Sequence, residues 1–210
     1  MIYFDFDELS DRQVYNLIAS TVVPRPIAWV LTKNTQGAFN LAPFSFFNAL
    51  SGVPPVVGVG IGKRDGRTKD TALNISREKE FVIHMVSEQH AEAMNLSSMV
   101  FPKEVSEAQW LDLKLKAAHK TRLGIIQDAP VALECKLIET IELERGGLIA
   151  LGEVLAVHIK KEAVVDQGRG YVDASQLNII GRWQSPGWYV HTDKLFKLEA
   201  VQRKVVDEQT

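Results

Sequence analysis

Cysteine is almost missing from this 210-residue chain: Cys135 stands alone. No internal disulfide can form, and no cysteine cluster can hold zinc. Charge of one sign is also missing, because 24 Lys and Arg face 26 Asp and Glu for a formal net charge of −2. Without a basic block or an interleaved aromatic stripe, there is no electrostatic case for nucleic acid or an anionic membrane. Long apolar runs are absent, and the opening MIYFDFDELSDR carries acids where a secretion signal would be basic. A reducing, cytoplasmic setting is therefore expected, and the sequons at Asn74 and Asn95 read as chance matches. No histidine pair has ligand spacing, so no metal site is expected. Ser45 lies in FSFFN rather than in a GxSxG turn, which leaves hydrolase chemistry unsupported. There is no linker, repeat or low-complexity tract, which implies a single domain over residues 1–210.

What is present is mainly β. Hydrophobic residues make up 46% and charged residues 24%, enough for a sizeable core without staples. SDRQVYNLIAS opens with cap-type residues and spaces Val14, Leu17 and Ile18 as a helix would. PIAWVLT reads as a strand, KNTQG as a turn, and the stretch from Asn40 as the returning strand of a hairpin. PVVGVGIG is a further strand, KDTALNISRE a short helix capped by Asp70 or Thr71, and EFVIHMV another strand. Residues 87–113 read as amphipathic helix interrupted at Pro102. Ala129–Leu143 and Leu148–Lys160 are long strands joined by ERGG, a hairpin signal, and the tail from Tyr171 reads as irregular. About six strands, mostly hairpin-linked, point to an antiparallel barrel or sandwich with helices outside it.

Alternation puts Cys135 beside Leu133 and Leu137, as a small buried hydrophobe. Glu153, inside an apolar strand, needs a partner, water or an edge position. The histidines, including His84 and His158, suggest no chemistry, and the four tryptophans cannot be divided between core and rim.

Three stretches could carry chemistry. NLAPFSFFNALSGVPP mixes amides with large apolar residues around Pro43. Proline donates no ladder bond, so this run belongs at a sheet edge or bulge, where backbone groups must find other partners. A planar heteroaromatic ligand could be that partner, and so could solvent. Gly58, Gly60 and Gly62 share one face of their strand, which calls for something flat or another element close by. They do not form a dinucleotide fingerprint, which needs a strand–turn–helix setting. In TKDTALNIS, a helix N-terminus with Lys69 and the Thr71 hydroxyl could hold an anion, while Asp70 fits a capping role better than a phosphate contact.

Several blocks in order, namely Arg25-Pro26-Ile27, Gly37, Asn40 to Ser45, Ser51, Pro54-Pro55 and Lys69-Asp70-Thr71 with Asn74-Ile75, resemble the flavin reductase-like family of FMN-binding split-barrel proteins. ECKLIE and LGEVLAVHI resemble that family's second half, so the likeness runs over residues 22–159. In the tail, GRWQSPGWY departs from the family's Arg, Gly-pair and aromatic pattern, at Arg182, Gly187 and Tyr189. The resemblance implies an antiparallel split β-barrel with peripheral helices, usually a homodimer, with FMN near the subunit interface. It implies that the strand matching Asn40, Ala42, Pro43, Phe44, Ser45 and Asn48 passes along the flavin ring. It implies that Lys69, Asp70, Thr71 and Asn74 handle the phosphate and ribityl end, and it adds Ser51 and Arg25, with Arg67 as a further cation. No catalytic side chain is implied. The expected activity is hydride transfer from NADH or NADPH to flavin, with a monooxygenase or other acceptor downstream. An electron carrier without pyridine-nucleotide activity and a non-enzymatic dimeric binding module are the alternatives.

Overall fold

The computed structural model describes residues 1–144 and 146–199. Helix α1 (Asp11–Thr21) follows Ser10, whose N–H and hydroxyl both donate to Gln13 Oε1. Then come β1 (Ala28–Lys33), β2 (Phe39–Phe44), β3 (Phe47–Gly52), β4 (Pro55–Gly62), α2 (Asp70–Glu78) and β5 (Glu80–Met85). Short helices α3 (Ala91–Leu96) and α4 (Glu107–Trp110) lead to the small strands β6 (Leu115–Ala117) and β7 (Gly124–Ile126). The long pair β8 (Val131–Leu143) and β9 (Gly147–Ile159) follows. The ribbon strands β10 (Val164–Asp166), β11 (Tyr171–Val172), β12 (Ile180–Arg182) and β13 (Tyr189–His191) complete the described chain. Among the described residues no helix is long and apolar enough to cross a membrane.

Seven strands form one antiparallel sheet in the order β2-β1-β5-β8-β9-β4-β3. Its two margins, β2 and β3, are consecutive in the chain and joined only by Ser45 and Phe46. The bend curls the sheet on itself, and Gly60 N–H donates to the Phe46 carbonyl at 2.7 Å. The interior holds Val30, Phe44, Val59, Phe81, Ile83, Cys135 and Leu148, plugged by Ala72 and Ile75 of α2. A second cluster, with Trp29, Leu31, Leu41, Val82, Met94 and Ile125, covers the outer face of β1, β2 and β5. With both faces covered, β1 reads as an unbroken apolar run instead of alternating. Each fully buried side chain of this size contributes about 1.5–3 kcal/mol.

Four expectations need correction. The run from Asn40 to Pro55 is two strands on opposite margins, which also accounts for seven sheet strands instead of six. Residues 87–113 are mostly loop: the Ser97 and Ser98 hydroxyls donate back to the carbonyls of Met94 and Asn95 at the end of α3. Pro102 then keeps the chain from resuming a helix at once. Helix α2 has Lys69 at its N-cap without a side-chain cap bond, so neither Asp70 nor Thr71 caps it. The tail from Tyr171 carries three short strands, with β12 paired to β13. The ERGG turn does close the β8–β9 hairpin, where Leu143 pairs with Gly147, although Arg145 lies outside the described residues.

Candidate functional site

The edge placement of Pro43 follows from the register. Leu41 N–H faces away from β1 and donates to Glu107 Oε2 at 3.0 Å. Pro43, two residues on and paired with Trp29, presents the same side and has no N–H to leave unpaired. Glu107 is buried, which raises its pKa, and no sequence signal marked it as the partner of this edge.

The glycine face of β4 meets protein. A Cβ on Gly60 would lie 3.0 Å from Phe46 Cβ and 3.3 Å from the Phe46 carbonyl oxygen. A Cβ on Gly58 would run into the Leu50 side chain. Gly60→Ala is therefore expected to cost about 1–2 kcal/mol, read by urea unfolding, because the bend must shift to admit the methyl group.

Two candidate residues meet at the start of α2. Lys69 Nζ lies 5.3 Å from the centroid of the Phe44 ring. Burial, and then the positive charge of Arg64, lower the Lys69 pKa. Among the described residues no carboxylate forms an ion pair with Lys69, whereas Asp70 lies 4.0 Å from the Lys103 ammonium. A partly desolvated ammonium, a neighbouring guanidinium and free helix amides favour an anion at this place. Arg67 pairs with Arg64 through the backbone of the preceding turn.

Several other candidates are committed within the fold. Asn40 Nδ2 donates to Thr71 Oγ1 at 3.0 Å, which joins β2 to α2. Asn74 is buried, donating to Thr32 Oγ1 at 3.1 Å and accepting from Arg77 at 3.3 Å. Arg25 is 5% exposed, and its guanidinium is held by backbone carbonyls. Ala42 packs on the barrel interior. Ser45 Oγ accepts from Arg25 Nε at 3.5 Å. Asn48 and Ser51 are exposed on β3, at the other margin. The structure thus joins Asn40 to Thr71, Phe44 to Lys69 and Ser45 to Arg25, and leaves β3 as an open shelf beside them. A cavity of about 100 Å³ is lined by Asn40, Asp70, Asn74 and Glu107. It is smaller than an ordinary cofactor site of roughly 300–1,000 Å³.

Glu153 is half-buried, whereas Glu134, like Glu107, is a buried carboxylate. Glu134 accepts from the N–H groups of His119, Lys120 and Thr121 at 2.9, 2.6 and 2.7 Å, and from the Thr121 hydroxyl at 3.1 Å. His158 Nε2–H donates to it at 2.7 Å. Burial alone would raise its pKa, but these bonds hold it down to about 2. His84 is fully buried, donating from Nδ1 to the Trp29 carbonyl and accepting at Nε2 from Ile126 N–H. Burial outweighs the bond to Trp29 and keeps its pKa down to about 4. Both residues fasten the outer layer to the sheet, and neither was marked in the sequence. Cys135 is buried as expected, with its thiol pKa pushed up by burial. Trp29 is core, while Trp110, Trp183 and Trp188 are exposed.

Three solved structures are similar over nearly the whole chain. Nitrilotriacetate monooxygenase component B from Bacillus cereus is 26% identical, with a TM-score of 0.88, covering 94% of this chain and 98% of that one. Pseudomonas fluorescens 2-nitrobenzoate 2-nitroreductase is 32% identical, with a TM-score of 0.86 and coverage of 95% and 96%. A protein with a split barrel domain from Shewanella frigidimarina is 23% identical, with a TM-score of 0.81 and coverage of 96% and 100%, and shares the fold. The family model described as flavin reductase like domain matches residues 20–175. With sheet order, margins and similarity in agreement, the fold is the antiparallel split barrel, and the chain belongs to the flavin reductase like domain family.

Proposed function

We propose that the chain binds FMN along β2 and β3 and passes hydride from NADH or NADPH to it, as a flavin oxidoreductase. The observation that carries this reading is Lys69, an ammonium with no carboxylate partner among the described residues, lying against Phe44 at the N-terminus of α2. The phosphate is held by Lys69, Arg64 and the first amides of α2, and the ring lies beside the proline-marked edge and the exposed β3. Bound flavin supplies the redox chemistry, and the protein supplies orientation and charge. Thr71, tied to Asn40, holds the helix start against β2 and so fixes the distance between the two ends of the cofactor. Leu50 and Val53, both strongly exposed on or beside β3, fit a second copy of the chain covering this shelf. The similarity to a monooxygenase component agrees with delivery of electrons to a separate acceptor.

The test is anaerobic mixing of FMN-loaded protein with NADH, and separately with NADPH, while flavin absorbance is followed. Rapid bleaching with one of them is expected. Yellow protein that neither nucleotide bleaches would make it an electron carrier, and protein that takes up no FMN would end the proposal.

A further inference from the structure

Arg25 spends four of its five N–H donors inside the fold. Nη1 donates to the carbonyls of Ala19 and Val22, at the C-terminal end of α1. Nη2 donates to the Trp183 carbonyl at 3.1 Å, in the loop between β12 and β13, and Nε reaches Ser45 Oγ at 3.5 Å. The guanidinium carbon lies 5.9 Å from the centroid of the Phe46 ring, which also packs against Tyr15 with centroids 6.0 Å apart. The backbone adds a two-way bridge, Arg25 N–H to the Arg182 carbonyl at 2.9 Å and Arg182 N–H to the Arg25 carbonyl at 2.8 Å.

Three segments remote in sequence thus converge on one side chain: the end of α1, the bend that joins the sheet margins, and the tail hairpin. Among the described residues Arg25 has no carboxylate partner; its charge is met by carbonyl dipoles, a hydroxyl and a ring face. A lysine could serve the helix end but has no planar fork to span the other two.

We propose that Arg25 is a positioning residue that couples the β12–β13 hairpin to the Ser45–Phe46 bend, so that a ligand seated at the bend is sensed at residues 182–189. The bend cannot move without displacing Ser45 from Nε or Phe46 from the guanidinium face. The guanidinium in turn cannot move without disturbing the Trp183 carbonyl. Arg25 acts through the bend and does not touch the ligand. This inference rests on the flavin reading of the site.

The test is hydrogen exchange on the full chain with and without FMN, in the natural sequence and in Arg25→Lys. In the natural sequence FMN is expected to slow exchange at residues 44–46 and 69–72 and also at 182–189. In Arg25→Lys the first two regions remain protected by FMN, the protection at 182–189 is lost, and the FMN dissociation constant rises about tenfold. The inference is overturned if FMN protects the first two regions of the natural protein and leaves 182–189 unchanged. It is equally overturned if Arg25→Lys keeps the protection at 182–189. Because the first comparison uses the natural sequence, poor folding of the variant does not remove the test. Absence of FMN protection everywhere would instead bring down the flavin reading, and this inference with it.

Discussion

Replacing Glu134 with glutamine is expected to lower the unfolding free energy by about 3 kcal/mol, because an amide cannot accept what the carboxylate accepts. Three backbone N–H groups, the Thr121 hydroxyl and the His158 imidazole converge on that carboxylate. Glutamine would turn an NH₂ toward some of them and leave buried donors unmatched. The same group sets a pH dependence. Its folded pKa of about 2 lies below its ordinary value of 4.5, so the unfolded chain takes up the proton first. The contribution is fully present above pH 4.5 and is lost as pH falls toward 2. His84, depressed from 6.5 to about 4, adds a loss in the same direction that starts at higher pH. Urea titrations from pH 7 to 3 should show stability falling throughout in the natural protein. In Glu134→Gln the fall below pH 4.5 should be shallower. An equally steep fall there would show that Glu134 is not the titrating group.

Lys69→Ala should weaken FMN binding by about 1.5–3 kcal/mol, the range for a charged hydrogen bond to phosphate. The fold itself should be little affected, since no carboxylate among the described residues relies on this ammonium. The loss should shrink when riboflavin, which lacks the phosphate, replaces FMN. A flavin titration of both ligands against both proteins decides the matter, and an equal loss for both would place Lys69 at the ring instead.

Much of the fold was legible because its signals are local. The β8–β9 hairpin could be read from two alternating runs and a turn, and the edge character of β2 from one proline. Glu134 was hidden because alternation shows only which residues share a face. Ala132 and Glu134 lie opposite Leu133 and Cys135, which looks like a solvent face until residues 118–127 fold over it. Arg25 was legible as a cation beside the site, but not as a tie among three segments, because its partners are carbonyls that any sequence would supply. The glycine face of β4 allowed either a ligand or a neighbour, and its neighbours are Phe46 and Leu50. Lys69 and Thr71 were read correctly as lying at a helix start, since α2 carries a periodic apolar face.

The bend at Ser45–Phe46 bears on how the protein reaches its working state. The hairpins β1–β2 and β3–β4 can each form from neighbouring residues, yet β4 must find β9 far along the chain, where Ile61 meets Leu148. Pairings of such long range come late and slowly in folding. The shelf at β3 is therefore finished only when the last strands dock, and a nascent or truncated chain ending before β9 should have no affinity for the cofactor. Uptake of the yellow ligand during synthesis would then time the completion of the barrel.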